Sequence, residues 1–241
     1  MKAIFFLLLT VLVISGFSSH AQSRDKKLNE FLILGTLNDY MGREFNPGDS
    51  TLFDRYYNPS EVIMIAKVDS LIKVTYPKKV YDGVEKTEST INSDFLAKRF
   101  NAFYDFSPSG MRTVWGMNIL RGKLKDDIFH NEQEKLSFLA GAYLRFGNRC
   151  DSAYYLSLPN SDSKANLCNK LLKELGCRPL YHIQRNIPSG HYVFFHPTPK
   201  VLAYMKRYEQ PHERYPRLVL YIQRMYKEAM LNESKQKPDT N

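Results

Sequence analysis

Three shortages bound what this chain can be. It has little that would cross a membrane: the only long apolar run is residues 3–14, AIFFLLLTVLVI, and that is shorter than the ~20 residues a spanning helix needs. It has few cysteines, three in 241 residues, so a disulfide-stapled scaffold is excluded and at least one thiol stays outside any intrachain pair. It also lacks the local signatures of common chemistry. There is no phosphate-cradling glycine loop and no G-x-S-x-G nucleophile elbow, and no local Cys-His pattern appears.

What is present begins with an export signal. Lys2 precedes the apolar run, Ser15 and Gly16 break it, and Ser19-His20-Ala21 places small residues where a signal peptidase cuts. The expectation is a signal peptide over 1–21, cleaved near Ala21, and a periplasmic or secreted protein. An uncleaved anchor is the alternative. No Cys follows the run, which argues against a lipid anchor at the cut. Removing 1–21 removes one charged residue, Lys2, so the net charge of +9 becomes +8. A basic surface favours anionic partners: an envelope component, phospholipid head groups, acidic glycans or nucleic acid. Another protein is a further possibility. Export argues against nucleic acid.

The pattern along the chain predicts an α+β fold, with a small, mostly antiparallel sheet, helices on one face, and a helix-rich N-terminal half. A first helix is expected from about Lys26 to Met41. A second is expected within 58–77, where Asn58 and Pro59 form a start signal. A third is capped by Ser93. Residues 78–90 read as an exposed connection, and "GMRTVWGMNILRGKL" fits neither helix nor strand well. From 131 the signals sharpen: a helix opened by His130 or Asn131 and closed by Gly147, a strand "AYYLSL", and a helix stopped by Gly176. A hairpin over 179–197 and a helix capped by Thr198 follow. A last helix runs over about 215–232. The organisation expected is 22–125, 126–232 and a polar tail from 233, with 22–232 as one domain the alternative. No internal repeat is evident.

Residues 131–207 resemble the LAGLIDADG homing-endonuclease fold, and in particular its degenerate form in sporulation-regulator (WhiA-type) proteins. "FLAGAY" heads a helix that leads into the strand "AYYLSL", the helix ending "LLKELGC" and the hairpin. The resemblance implies a shared element order and a nucleic-acid-binding ancestry. It does not imply the nuclease chemistry: the signature's metal-binding acids fall here on Leu144 and Phe146, which offer no oxygen ligand, and Arg145 adds a positive charge beside them. The alternative is an ordinary, closely packed helix using Ala140 and Gly141.

Other candidates are sparse. His182, His191 and His196 lie in the hairpin. A turn centred on Pro188 puts His182 and His196 on one face and His191 on the other, giving at most two ligands of a metal site that needs three or four. No metal or other cofactor is expected. Ser109 and Ser189 sit in turn sequences. Asp126, Asp127, Glu132 and Glu134 suit a helix start. A hydrolase using His182 or His196 stands as an alternative function. The stretch 204–227 interleaves Tyr204, Tyr208, Tyr215, Tyr221 and Tyr226 with Lys206, Arg207, Arg214, Arg217, Arg224 and Lys227. Its ligand-binding candidates are Arg207, Arg214, Arg217, Arg224 and Tyr221, set against a plain amphipathic helix with an apolar stripe of Leu218, Ile222 and Met225. Cys150–Cys177 is the disulfide candidate, because Cys168 and Cys177 are too far apart along one helix to bridge. The leading expectation is an exported, non-enzymatic binding protein with a basic face. A catalytically dead nucleic-acid-binding relic is the other alternative.

Overall fold

The computed structural model describes residues 25–46, 51–55, 61–150, 153–178, 180–186, 189–208 and 216–236. The fold is α+β, with its strands divided among three antiparallel sheets. Helix α1 covers residues 25–36. Strands β1 (Arg43–Phe45), β5 (Tyr104–Arg112) and β6 (Asn118–Leu124) form one sheet in the order β1-β6-β5. Strands β2 (Leu52–Arg55), β3 (Glu85–Lys86) and β4 (Thr90–Asn92) form a second, flanked by α2 (Val62–Thr75), α3 (Lys78–Tyr81) and α4 (Asp94–Asn101). The third belongs to the C-terminal half. It runs β7 (Gly147–Cys150), β8 (Ala153–Leu158), β10 (Ser189–Phe195), β9 (Leu180–Asn186), with helices α5 (Glu132–Phe146), α6 (Asp162–Glu174), α7 (Pro199–Lys206) and α8 (Pro216–Gln236) around it.

Local chemistry sets most of these boundaries. The Asn131 side chain accepts from the Glu134 N–H at 3.1 Å, while the Glu134 carboxylate accepts from the His130 N–H at 2.6 Å. Two donors at the start of α5 are thereby satisfied. Ser93 caps α4 and Thr198 caps α7, and Gly176 closes α6 at φ +76°. The start expected at Asn58 and Pro59 lies outside the described residues. The residues that fit neither helix nor strand are the β5–β6 hairpin, and the exposed connection contains α3 and β3.

Two helices organise the interior. Where α1 crosses α5, Gly35 faces Gly141: a Cβ on Gly141 would stand 1.9 Å from the Leu32 carbonyl oxygen, and one on Gly35 would stand 2.1 Å from that of Phe138. Only hydrogen at both positions allows this approach. A main core passes through Phe31, Phe53, Phe100, Phe138, Leu156, Leu171 and Val201. A smaller core lies on the other face of the four-stranded sheet. There Cys150, Tyr155, Tyr192 and Phe194 meet Ile222, Met225 and Tyr226 of α8, so this sheet carries helices on both faces. Among the described residues no helix is long and apolar enough to cross a membrane.

Candidate binding groove and the polar centre behind it

The α1–α5 crossing ends in buried charge. Helix α1 stops at residue 36, short of the expected Met41, because its last carbonyls are taken by two cations from distant helices. Lys164, on α6, donates to the carbonyls of Leu34 (3.3 Å), Gly35 (3.4 Å) and Leu37, and pairs with Asp39 at 3.1 Å. Arg145, at the end of α5, donates to the Thr36 carbonyl at 2.7 Å, to Asp54 at 2.8 Å and to Glu61 at 3.1 Å. The Lys164, Asp39, Arg145 and Asp54 side chains are fully buried. A cation at a helix C-terminus satisfies orphan carbonyls and meets the negative end of the dipole. Asp39 also accepts from the Tyr104 hydroxyl at 2.9 Å. Burial, and then the Asp39 charge, pushes that phenol well above its ordinary pKa. Asp54 accepts further from the backbone N–H groups of Asn38 and Arg55.

Arg145 of this centre lies between Leu144 and Phe146, the positions on which the resemblance places metal-binding acids, and the chemistry there is different. Leu144 is buried in the main core, and Arg145 is an ion-pair partner and helix cap. The carboxylates described around it, Asp39, Asp54 and the less buried Glu61, each meet a cation at hydrogen-bond distance. Among the described residues no group of three or more His, Cys, Asp or Glu side chains is placed to hold a metal ion.

In front of this centre a groove of about 730 Å³ opens between β6 and the first turns of α6. Arg121, Lys123 and Lys170 line it together with Ser107, Asn160 and Asn166. The N-terminal turn of α6 faces the groove through Asp162 and Ser163, and a helix N-terminus favours anions. Arg121 is held by Glu44 at 3.2 Å and reaches the Gly42 carbonyl at 3.4 Å. Lys170 pairs with Asp126 at 2.8 Å.

The histidines are arranged differently from the sequence expectation. The hairpin register is Asn186↔Ser189, His182↔Val193 and Leu180↔Phe195, one residue away from a turn centred on Pro188. A one-residue slip moves every side chain to the opposite face. His182 therefore shares its face with His191, and His196 lies on the other face, hydrogen-bonded to the Tyr226 hydroxyl at 2.9 Å. His191, buried, bridges Asp162 (2.7 Å) and His182 (3.0 Å). With Asp162 ionised, His191 Nε2–H donates to the carboxylate, which leaves Nδ1 to accept from His182 Nε2–H. His182 is then an oriented base whose other nitrogen has no hydrogen-bond partner among the described residues. Burial, followed by the neighbouring imidazole, lowers its pKa against the pull of Asp162. Among the described residues no hydroxyl or thiol hydrogen-bonds to His182, so the chain Asp162–His191–His182 orients a base without a nucleophile.

The remaining candidates are dispersed. Arg207, exposed, stacks on Tyr204 with its guanidinium 4.9 Å from the ring centroid, at the end of α7 on the main-core side. Arg224, exposed, is on α8 beyond the opposite face of the sheet, and Tyr221 packs against Tyr192. Arg214 and the side chains of Arg217 and Leu218 lie outside the described residues. The Cys150–Cys177 bridge is not formed. Cys150 belongs to the smaller core and Cys177 to the main one, on opposite faces of the sheet. Cys168 and Cys177 are buried free thiols, and burial pushes Cys168 up to about 12. The close packing expected at Gly141 is found, while sequence reasoning missed its partner Gly35, the caps by Lys164 and Arg145, and the Asp162–His191 link.

No protein-family model matches the chain, and no curated protein does. Among solved structures it is similar to mesophilic variants of the homing endonuclease I-DmoI, with 13% identity and a TM-score of 0.38 over 83% of this chain and 98% of that one. It is similar to I-DmoI in complex with DNA and Ca at 12% identity and a TM-score of 0.37, over the same shares of the two chains. For I-DmoI in complex with DNA and Mn the values are 15% and 0.36, over 78% of this chain and 99% of that one. At these TM-scores the likeness to the LAGLIDADG homing-endonuclease fold is a weak resemblance.

Proposed function

We propose that the protein is a non-enzymatic binding module that takes an anionic ligand in the groove between β6 and α6. The observation that carries this reading is the groove's make-up. Its β6 wall belongs to a segment, residues 106–125, that contains Arg112, Arg121, Lys123 and Lys125 and no acidic residue, and its other wall is a helix N-terminus. Asp126 and Asp162 also line the groove, the first paired with Lys170 and the second with His191, so it is Lys123 and the helix N-terminus that favour negative charge there. Metal-dependent phosphodiester cleavage is not proposed, because among the described residues the carboxylates of the buried centre, Asp39, Asp54 and Glu61, are held by Lys164 and Arg145.

Two ligand sources share this chemistry. Nucleic acid is supported by the element order from α5 to α7, which follows the order that the resemblance implies. An anionic envelope component is supported by the leader-like residues 1–21. One titration separates them. The chain from residue 22 is mixed with duplex DNA, with an anionic glycan and with neutral glycan at rising salt. Binding of DNA with a log–log salt slope of several units, reduced by about one in Lys123→Glu, supports the nucleic-acid reading. Binding of the glycan alone with the same loss supports the envelope reading. No binding to either polyanion at low salt refutes both.

A further inference from the structure

The β5–β6 hairpin ends in a turn that displays apolar side chains. Val114 and Trp115 are 94% and 84% exposed, and Met111 and Met117 flank them at 42% and 37%. The turn is closed by its own hydrogen bonds. The Thr113 N–H donates to the Met117 carbonyl at 2.8 Å, and the Gly116 N–H donates to the Thr113 carbonyl at 2.9 Å. The Thr113 hydroxyl oxygen accepts from the N–H groups of Trp115 (3.3 Å) and Met117 (3.1 Å). Gly116 supplies the left-handed residue the turn requires, at φ +79°. The backbone thus holds Trp115 and Val114 outward without any packing of their side chains. Grouped apolar exposure of this kind marks an interaction site.

We infer that this tip docks the protein on an anionic phospholipid bilayer, with Val114 and Trp115 entering the boundary between head groups and acyl chains. Charge complementarity identifies the occupant. Arg112 adjoins the tip and Lys123 lies further along the hairpin, while Arg121 and Lys125 are paired with Glu44 (3.2 Å) and Asp105 (3.4 Å). Basic residues near an anionic leaflet are each attracted by its surface potential. The apolar set decides between lipid and nucleic acid. A stacked base would cover the indole and leave Val114, Met111 and Met117 in water, whereas a bilayer interface accepts all four and suits an indole with one polar edge. The inference does not require the groove to be occupied, so its failure and the failure of groove binding are separate results.

Trp115 is the only tryptophan in the chain, so its fluorescence reports on the tip alone. The chain from residue 22 is used, since every described element lies within it and the apolar run 3–14 would otherwise carry it onto lipid. It is titrated with phosphatidylcholine vesicles, with vesicles containing roughly one-third phosphatidylglycerol, and with duplex DNA. The expected result is a blue shift and co-sedimentation with the anionic vesicles, weaker with raised salt, and little with phosphatidylcholine alone. Trp115→Ala and Val114→Asp, neither of which touches the core, each lower partition by about 10-fold or more at an unchanged unfolding midpoint. Unshifted emission on anionic vesicles at low salt overturns the inference. A shift with DNA and none with lipid overturns it in favour of base stacking. Co-sedimentation insensitive to both tip variants but lost in Lys123→Glu overturns it by assigning lipid contact to the groove.

Discussion

Replacing Gly141 by alanine sets two effects of opposite sign against each other. In an exposed helix the change stabilises, by about 1 kcal/mol, because alanine loses less backbone entropy on folding. Here the added Cβ would lie 1.9 Å from the Leu32 carbonyl oxygen, 2.8 Å from its carbon and 3.2 Å from the Gly35 Cα. All three are backbone atoms, so no rotamer change relieves the overlap. The helices must separate by about 1 Å or more, and a gap of that size forfeits a quarter to a half of each dispersion contact along the crossing. Overpacking a core with flexible neighbours costs about 1–3 kcal/mol, and a rigid crossing belongs at or above the top of that range. The expected net change is a loss of about 3 kcal/mol, a large share of the roughly 5–15 kcal/mol that holds a domain folded. The assay is urea unfolding followed by circular dichroism, where that loss lowers the midpoint by about 1 M. Gly83→Ala is the control: its Cβ would meet nothing closer than the Val80 carbonyl oxygen at 3.6 Å, and its effect should stay within about 0.5 kcal/mol. A Gly141→Ala protein as stable as the parent would refute the reading of the crossing.

Lys164→Met leaves Asp39 charged and buried and strips the α1 carbonyls of their cap. A loss of about 3–5 kcal/mol is expected in the same urea assay, with part of it recovered by adding Asp39→Asn; equal damage from the single and double variants would argue against a coupled pair. For His182, whose pKa is lowered on folding, the neutral form is favoured in the native state. Its stabilising contribution is complete above its unfolded value of about 6.5 and is lost as pH falls through the lower folded value. The unfolding midpoint should therefore hold above about pH 6.5 and drop as the pH falls below it, and the drop should shrink in His182→Gln; an unchanged pH slope in that variant would assign the titration elsewhere. Without reductant, the three cysteines should be inert to an aromatic disulfide reagent in the native protein and should all titrate as thiols in denaturant. A count of one would restore the Cys150–Cys177 bridge.

The parts of the fold that the sequence shows are those fixed by neighbours. Asn131 with Glu134, Thr198 with Pro199, and Gly176 act within one turn of the chain, and so α5, α6, α7 and the strand at 153–158 are legible from spacing alone. The β5–β6 hairpin is hidden because a register shift between Pro108 and Arg112 breaks the two-residue alternation by which a strand is recognised. The histidine site is lost to a single residue. Counting from Pro188 gives the wrong parity, and parity alone decides whether His182 meets His191 or His196. The end of α1 is set by side chains 109 and 127 residues away, and no local signal marks it.

Arg145 and Lys164 would each be read, on their own helices, as solvated charges on a polar face, yet both side chains are fully buried. Their burial becomes intelligible only once Gly35 and Gly141 have brought α1 within reach of α5. The close crossing leaves the α1 carbonyls facing the ends of α5 and α6 and away from water, where a cation is the one side chain that satisfies several of them at once. The same two residues then supply the counter-charge for Asp39 and Asp54. The site that the resemblance would assign to metal chemistry is thus taken up by the caps that the crossing itself demands, and this moves the functional question outward, to the groove and to the hairpin above it.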